Sequence, residues 1–409
     1  MEEKSWEEAC NLVEKGIAGE LDTGSKAIAE RYERTGDAAG KGAKDLVNTD
    51  TQSADIIRES GTEPAPDTGI DREQPTTPAP EDGRHRFAIS HEEAQELYAQ
   101  VRDQEPDFAG TGNRVNLVDT SSGPAVVRFG KEEPSVTFLK KWMPENTAIK
   151  YARESGVRTP EILHAGTDPS TGREFTIMRY IPGETRDWGD PKLLNWLPDL
   201  LDQDRLMSSH PLPVEMQMDI PEWQRQMIQY ADDAYHNLPP DRLSKLEELG
   251  IGPLSDYVQP DLGRSGEPVV FAHNDLYPLN LRLDDRGKLW VFDWETAGPG
   301  DPLYNASFFL QRMGEVDEAT RAQATTMWTE RILSGNPAVD TEAALRKYRS
   351  MEDWRGVAMS AGRMQPSVAA DPSRFEKAVD WYHIRFSRQP DWPDISRDEL
   401  RALLRGWVE

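Results

Sequence analysis

The chain has one cysteine, Cys10, in 409 residues. An internal disulfide is therefore excluded, and a reducing compartment, the cytoplasm, is the expectation. Long apolar runs are also missing. No stretch of about 18 apolar residues occurs, so no helix suited to crossing a membrane is expected. The opening Met1-Glu-Glu-Lys-Ser-Trp is acidic and lacks an apolar segment, so no secretory leader is expected either. Bases are scarce: 47 Lys and Arg face 73 Asp and Glu, a net charge of -26. That balance argues against nucleic acid or an anionic membrane surface as a partner. Acids outnumber bases in residues 1–84 as well, away from any motif. The bulk of the acidity is therefore read as solvation suited to a salty cytoplasm, rather than as attraction of a cationic substrate. Hydrophobic residues make up 37% and mean hydropathy is -0.72. At this length the chain can still bury a large core, and two domains plus an extension are expected.

Composition changes along the chain. Residues 1–84 form an acidic extension. Trp6, Leu12, Val13, Ile17 and Leu21 suggest some helix near its start, and five prolines between Pro64 and Pro80 make its end a disordered linker by composition. Ser90 followed by Glu93 reads as a capped helix start. Phe108-Ala-Gly110-Thr-Gly112-Asn113 is a glycine-containing turn. Strands are expected at Arg114–Asp119, Ala125–Phe129, Thr159–Ala165 and Phe175–Ile181, with a helix over 144–155 between the second and third. Residues 85–182 thus read as a small sheet with helices. Residues 183–409 read as mostly helical, with helices over 191–207, 221–237, 241–249, 316–334, 340–365, 372–387 and 396–408. The fold class is α+β.

Chemistry concentrates in one stretch. Pro268-Val-Val-Phe-Ala reads as a strand, followed by His273-Asn-Asp275-Leu-Tyr-Pro-Leu-Asn280, a short strand, a turn, and Leu289-Trp-Val-Phe-Asp293-Trp-Glu295. Phosphoryl transfer needs a carboxylate near the acceptor hydroxyl and oxygen ligands for magnesium on the nucleotide phosphates. Asp275, Asn280 and Asp293 supply those groups in a plausible order. Asp293 lies in an apolar strand, where a carboxylate needs a compensating partner, and a divalent cation is one.

The His273–Asn280 loop, with Val291-Phe-Asp293-Trp-Glu295 and Gly300-Asp301-Pro-Leu-Tyr, resembles the aminoglycoside phosphotransferase and choline kinase superfamily. These are small-molecule kinases of protein-kinase-like, bilobal fold. The resemblance runs from about residue 95 to about residue 365 and leaves residues 1–84 outside. It implies a nucleotide-binding N-lobe over 85–182 with a small antiparallel sheet, and a helical C-lobe over 183–409 with the catalytic loop and acceptor site. It implies Asp275 as catalytic base, His273 as a structural brace, and Asn280 and Asp293 as magnesium ligands, with Glu295 supporting the metal or the acceptor pocket. Upstream it implies Gly110, Gly112 and Asn113 as the phosphate-covering loop and Arg128 on the phosphates with Glu145 as its ion-pair partner. Met178 and Tyr180 fall at the adenine-binding hinge. The cofactors implied are ATP or GTP and Mg2+. Two residues depart from the common pattern: Asn274 stands where antibiotic kinases carry Gly, and Asn305 stands where a structural Asp is usual.

The acceptor implied is a small molecule bearing a hydroxyl: an amino-alcohol, an aminoglycoside or a related metabolite, with a cationic one among the options. Trp188, Trp223, Tyr230, Asp232, Asp233, Glu352, Asp353 and Trp354 are candidates for its pocket, since Trp faces and carboxylates suit ammonium groups. A catalytically weak, kinase-like scaffold is the alternative. Protein kinase activity is disfavoured, because no Ala-Pro-Glu-like anchor follows Asp293. The sequence leaves the oligomeric state open.

Overall fold

The computed structural model describes residues 88–109, 113–130, 138–186, 190, 192–313, 316–333 and 340–408. The extension expected over 1–84, Gly110, Gly112 and Trp188 lie outside the described residues.

The chain is α+β, with a sheet first and helices after it. Helix α1 (His91–Val101) starts where Ser90 accepts the Glu93 backbone N–H. Strands β1 (Phe108–Ala109), β2 (Asn113–Thr120), β3 (Gly123–Gly130), β4 (Ile162–Thr167) and β5 (Glu174–Arg179) form one antiparallel sheet in the order β1-β2-β3-β5-β4. Helix α2 (Glu145–Glu154) lies between β3 and β4 in sequence.

Strand periodicity decides which face each β3 side chain takes. Ala125, Val127 and Phe129 join Val118, Phe175 and Ile177 in a core under α1, where Tyr98 stacks on Phe175 at 4.5 Å. Val126 belongs to the other face, packed against the core that holds Ala148, Ile149 and Ala152 of α2. Arg128 shares that second face, which turns its guanidinium toward α2.

The remaining elements are β6 (Glu184–Thr185), α3 (Leu193–Ser209), α4 (Ile220–His236), α5 (Pro240–Glu248), β7 (Val270–Ala272), β8 (Leu281–Leu283), β9 (Leu289–Val291), β10 (Gly298–Gly300), α6 (Pro302–Gln311), α7 (Glu318–Leu333), α8 (Thr341–Ser360), α9 (Met364–Ala370), α10 (Arg374–Arg388) and α11 (Arg397–Val408). Strand β8 pairs with both β6 and β9, and β7 pairs antiparallel with β10. Helix α3 packs on β7, and α6 packs on both α7 and α8. The described residues contain no helix long and apolar enough to cross a membrane.

Two expectations need correction. The helix expected over 340–365 is two helices, α8 and α9, parted by Ala361–Arg363. Helix α6 was not expected at all, although it carries much of the core beneath the motif loop.

Candidate active site

Strand β7 ends at Ala272, and His273 follows it. Gly300 stands opposite Val270 across the β7–β10 pair. A Cβ on Gly300 would lie 2.3 Å from Asn274 Oδ1 and 2.6 Å from Ala272 Cβ, so the loop can close onto β10 only with glycine there. His273 is fully buried. Its Nε2 donates to Phe292 O at 2.8 Å, and its Nδ1 accepts the Asp275 backbone N–H at 3.3 Å. Burial pushes its pKa down to about 4, against the pull of Phe292 O and Asp293. A neutral imidazole with both nitrogens engaged braces the loop and is a poor proton shuttle.

Asn274 has φ +61, the left-handed region that asparagine tolerates better than most residues. Its Nδ2 donates to Thr296 O at 3.2 Å and Pro299 O at 3.1 Å, and its backbone N–H donates to Asn305 Oδ1 at 3.0 Å. The two departures from the common pattern thus meet each other. Asn305 in turn donates to Asp204 at 3.4 Å. Asn274→Gly keeps the backbone angle but loses two buried hydrogen bonds, a cost of about 1–2 kcal/mol. Asn274→Ala loses the same bonds and adds left-handed strain of about 1 kcal/mol. Thermal melts should therefore rank wild type above Asn274→Gly and Asn274→Gly above Asn274→Ala, with Ala the less stable of the two replacements.

Asp275 is partly buried. Its Oδ2 and its carbonyl oxygen both accept from Asn280 Nδ2, at 3.4 and 2.9 Å. Burial raises its pKa to about 7; Arg355 and Arg312 oppose that shift, while Asp293 and Glu352 add to it. Asn280 closes the single 3-10 turn Pro278–Asn280, and its carbonyl accepts the Phe292 N–H at 2.9 Å. The motif loop and the residue before Asp293 are thus tied twice, through His273 and through Asn280.

Asp293 also has φ +61. Its Oδ1 accepts from Arg128 Nη2 at 2.5 Å, while Arg128 Nη1 pairs with Glu145. With its amide set by the hydrogen-bond network, Asn113 accepts from Arg128 Nε at 3.2 Å and Nη2 at 2.5 Å. Glu295 lies 3.9 Å from Arg128 and pairs with Lys141 Nζ at 2.9 Å. Arg128 therefore gathers Asn113, Glu145 and the neighbouring pair Asp293 and Glu295 from three separate stretches of chain. Met178 is buried between Val126 and Ile162, and the Tyr180 N–H donates to Pro124 O at 3.0 Å.

Among the described residues, no three His, Cys, Asp or Glu side chains gather as a metal-ligand set. An Asn–Asp pair is a different donor set. Asn280 uses its amide nitrogen toward Asp275, leaving an amide oxygen for a cation. Asp293 engages Arg128 through Oδ1, leaving Oδ2. Two hard oxygens of this kind fit Mg2+, which keeps several waters and takes few protein ligands. Glu295 is turned to Lys141 instead.

The expected acceptor candidates mostly have other work. Trp223 is fully buried, edge-on to Tyr304 at 5.4 Å. Trp354 is buried and donates to Gly252 O at 2.9 Å. Asp353 lies in a buried pair with Arg385 at 3.5 Å. Asp232 accepts the Ser255 N–H and Asp233 accepts from Gln229. The Tyr230 hydroxyl is raised by burial, with Lys141 and Glu295 within electrostatic reach. Glu352 alone reaches toward Asp275, and it brings Arg312, Arg355 and Tyr304 with it. Sequence reading missed those partners; the spacing of Glu352 and Arg355 was the one local signal.

The chain belongs to the phosphotransferase enzyme family, whose model matches residues 103–344. Among solved structures it is similar to a choline/ethanolamine kinase family protein from Mesorhizobium loti (19% identity, 77% of this chain and 99% of that one, TM-score 0.43). It is also similar to choline kinase LicA from Streptococcus pneumoniae (14%, 74% and 100%, TM-score 0.47). A third is the spectinomycin phosphotransferase APH(9)-Ia, solved with ADP and spectinomycin (13%, 73% and 90%, TM-score 0.44). No curated protein matches the sequence.

Proposed function

We propose that this protein transfers the γ-phosphoryl group of ATP to a hydroxyl of a small molecule. Residues 88–182 would hold the nucleotide, and the helical remainder would hold the acceptor. The observation that carries this reading is the double tie between the two motif segments. His273 Nε2 on Phe292 O and Phe292 N–H on Asn280 O fix Asp275, Asn280 and Asp293 as one unit.

Within that unit the roles differ by environment. Asp275, with a pKa of about 7, is a carboxylate suited to accept a hydroxyl proton near neutral pH. Asn280 and Asp293 would hold Mg2+, which when bound neutralises charge on the phosphates. Arg128, oriented by Glu145, would contact the phosphates as a planar guanidinium. Asn113 and Glu295 fix that guanidinium from two further sides.

The test is calorimetric titration with ADP, with Mg2+ and then with a chelator, followed by ATP turnover against a panel of hydroxyl compounds. GTP serves as a second donor arm. Chelation should weaken ADP binding by about tenfold or more. Absence of any Mg-dependent nucleotide binding would sink the reading. Binding without transfer to any hydroxyl would favour a kinase-like scaffold.

A further inference from the structure

Asp204 is a buried acid that the chemistry proposed above does not use. It lies on α3 and is 2% exposed. Helix α7 packs against both α3 and α6. Aromatic side chains link the same three helices: Trp196 of α3 is edge-on to Phe309 of α6 at 6.1 Å, and Phe309 is 5.7 Å from Trp328 of α7. Arg331 Nη2 of α7 comes no closer than 3.6 Å to Asp204 Oδ2, and it also donates to Ser208 Oγ at 2.9 Å. Oδ2 has no hydrogen-bond partner among the described residues. Burial raises the Asp204 pKa to about 6, against the pull of Arg331 and Asn305. A carboxylate so placed costs stability, and apolar side chains of similar size often replace such acids without loss. Packing therefore does not explain Asp204.

Its other oxygen has a directed task. Asn305 Oδ1 faces the Asn274 backbone N–H at 3.0 Å, and only an oxygen can accept there. That contact fixes which way the Asn305 amide lies. Its Nδ2 must then point away from the loop and needs an acceptor, which Asp204 Oδ1 supplies at 3.4 Å. The two side chains are a matched pair. A carboxylate at 305 would face the carboxylate at 204, and an apolar residue at 204 would leave Asn305 Nδ2 without that acceptor. The peptide held by Asn305 joins His273 to Asn274, one residue before Asp275. The Asn274 side chain is committed to Thr296 O and Pro299 O, so the backbone N–H is the tie from this residue to α6.

Resting on the kinase reading above, we propose that Asp204 is a positioning residue: through Asn305 it holds the Asn274 peptide and so sets where Asp275 meets the acceptor hydroxyl. Small displacements of a reacting group are costly, on the order of a hundredfold in rate for 1 Å. A relay that fixes the peptide beside the proposed base therefore bears on kcat more than on nucleotide binding.

The experiment compares the full chain with Asn305→Asp, with the exchanged pair Asp204→Asn/Asn305→Asp, and with Asp204→Leu. Transfer to a hydroxyl compound found in the panel above, Mg-ADP calorimetry and hydrogen exchange at the Asn274 amide are measured on each. Asn305→Asp should lower kcat about ten- to hundredfold, because two carboxylates so close cannot both ionise in place. Its Asn274 amide should exchange faster, and its Mg-ADP affinity should stay within about twofold of wild type. The exchanged pair restores one amide and one carboxylate with the donor now at 204, and kcat should recover to within about threefold of wild type. Asp204→Leu covers the case in which Asn305→Asp does not fold, since an apolar side chain suits the helix junction. It should fold, lose kcat about tenfold or more, and exchange faster at Asn274. The proposal is overturned if the exchanged pair is no better than Asn305→Asp. It is also overturned if Asp204→Leu keeps full kcat and wild-type exchange, or loses Mg-ADP affinity as much as kcat. If no hydroxyl compound is phosphorylated, the kinase reading falls, and exchange at the Asn274 amide still decides whether Asp204 holds the loop.

Discussion

Asp275→Asn is expected to lower kcat about a thousandfold while raising the melting temperature at pH 8. The loss would follow from removing the proposed base, since general-base catalysis of this kind contributes about 10²–10⁴-fold. The gain follows from linkage. The folded pKa of Asp275 is about 7, above its ordinary value of 3.8. The folded state therefore holds this proton more tightly than the unfolded chain does. The resulting stabilisation is complete below pH 3.8 and is lost as pH rises through about 7. Above that, wild type folds around an ionised carboxylate that burial disfavours, and the amide does not. Partial exposure of the side chain discounts the effect to about 2 kcal/mol, a shift of several degrees. At pH 4 the variant should melt close to wild type. In wild type, kcat/KM should rise with pH through about 7 as Asp275 loses its proton. A variant that retains transfer, or that melts lower than wild type at pH 8, would show that Asp275 is a structural carboxylate.

The Arg128–Glu145 pair and the shape of the motif loop were legible because they are carried by local patterns. Period-2 alternation turns Arg128 away from Val127 and Phe129 and toward α2, whose first residue is Glu145. The motif loop has fixed spacing, and its ties run between two neighbouring segments. Asn274 was noticed as a departure, and its φ of +61 explains why Gly and Asn suit the position. The surroundings of Asp275 were not legible, because they are assembled over long range. Arg312 comes from the end of α6, and Glu352 and Arg355 come from α8. Helix α6 escaped notice because Pro302-Leu-Tyr-Asn-Ala-Ser-Phe-Phe-Leu is buried nearly all round, so it lacks the polar face that marks an amphipathic helix. Gly362 is the local signal for the break at Ala361–Arg363. Residue type alone makes Trp223, Trp354 and Asp353 pocket candidates. Burial and partners then assigned the two tryptophans to the core and Asp353 to an internal pair.

Asp293→Asn should separate metal from nucleotide in a way that loss of folding cannot imitate. Asparagine tolerates φ +61, so the backbone keeps its shape, whereas alanine would add left-handed strain. The side chain is 35% exposed, so losing one charged pair with Arg128 should cost at most about 1 kcal/mol of stability. The functional effect should be far larger. Without the carboxylate, one of two proposed oxygen ligands becomes a neutral amide, and Mg2+ should no longer strengthen ADP binding by about tenfold. Transfer should fall about a thousandfold. Metal-free ADP should behave differently. In wild type, Asp293 Oδ1 takes Arg128 Nη2 at 2.5 Å, and the amide cannot neutralise that guanidinium. Glu145 and Glu295 still orient it, so Arg128 would offer the phosphates its charge with one opposing carboxylate fewer. ADP in the presence of chelator should therefore bind the variant at least as tightly as wild type. Calorimetry of the two proteins, each with and without Mg2+, reads both effects in one experiment. If Mg2+ strengthens ADP binding equally in both, Asp293 is no metal ligand and its place is as the acid that anchors Arg128.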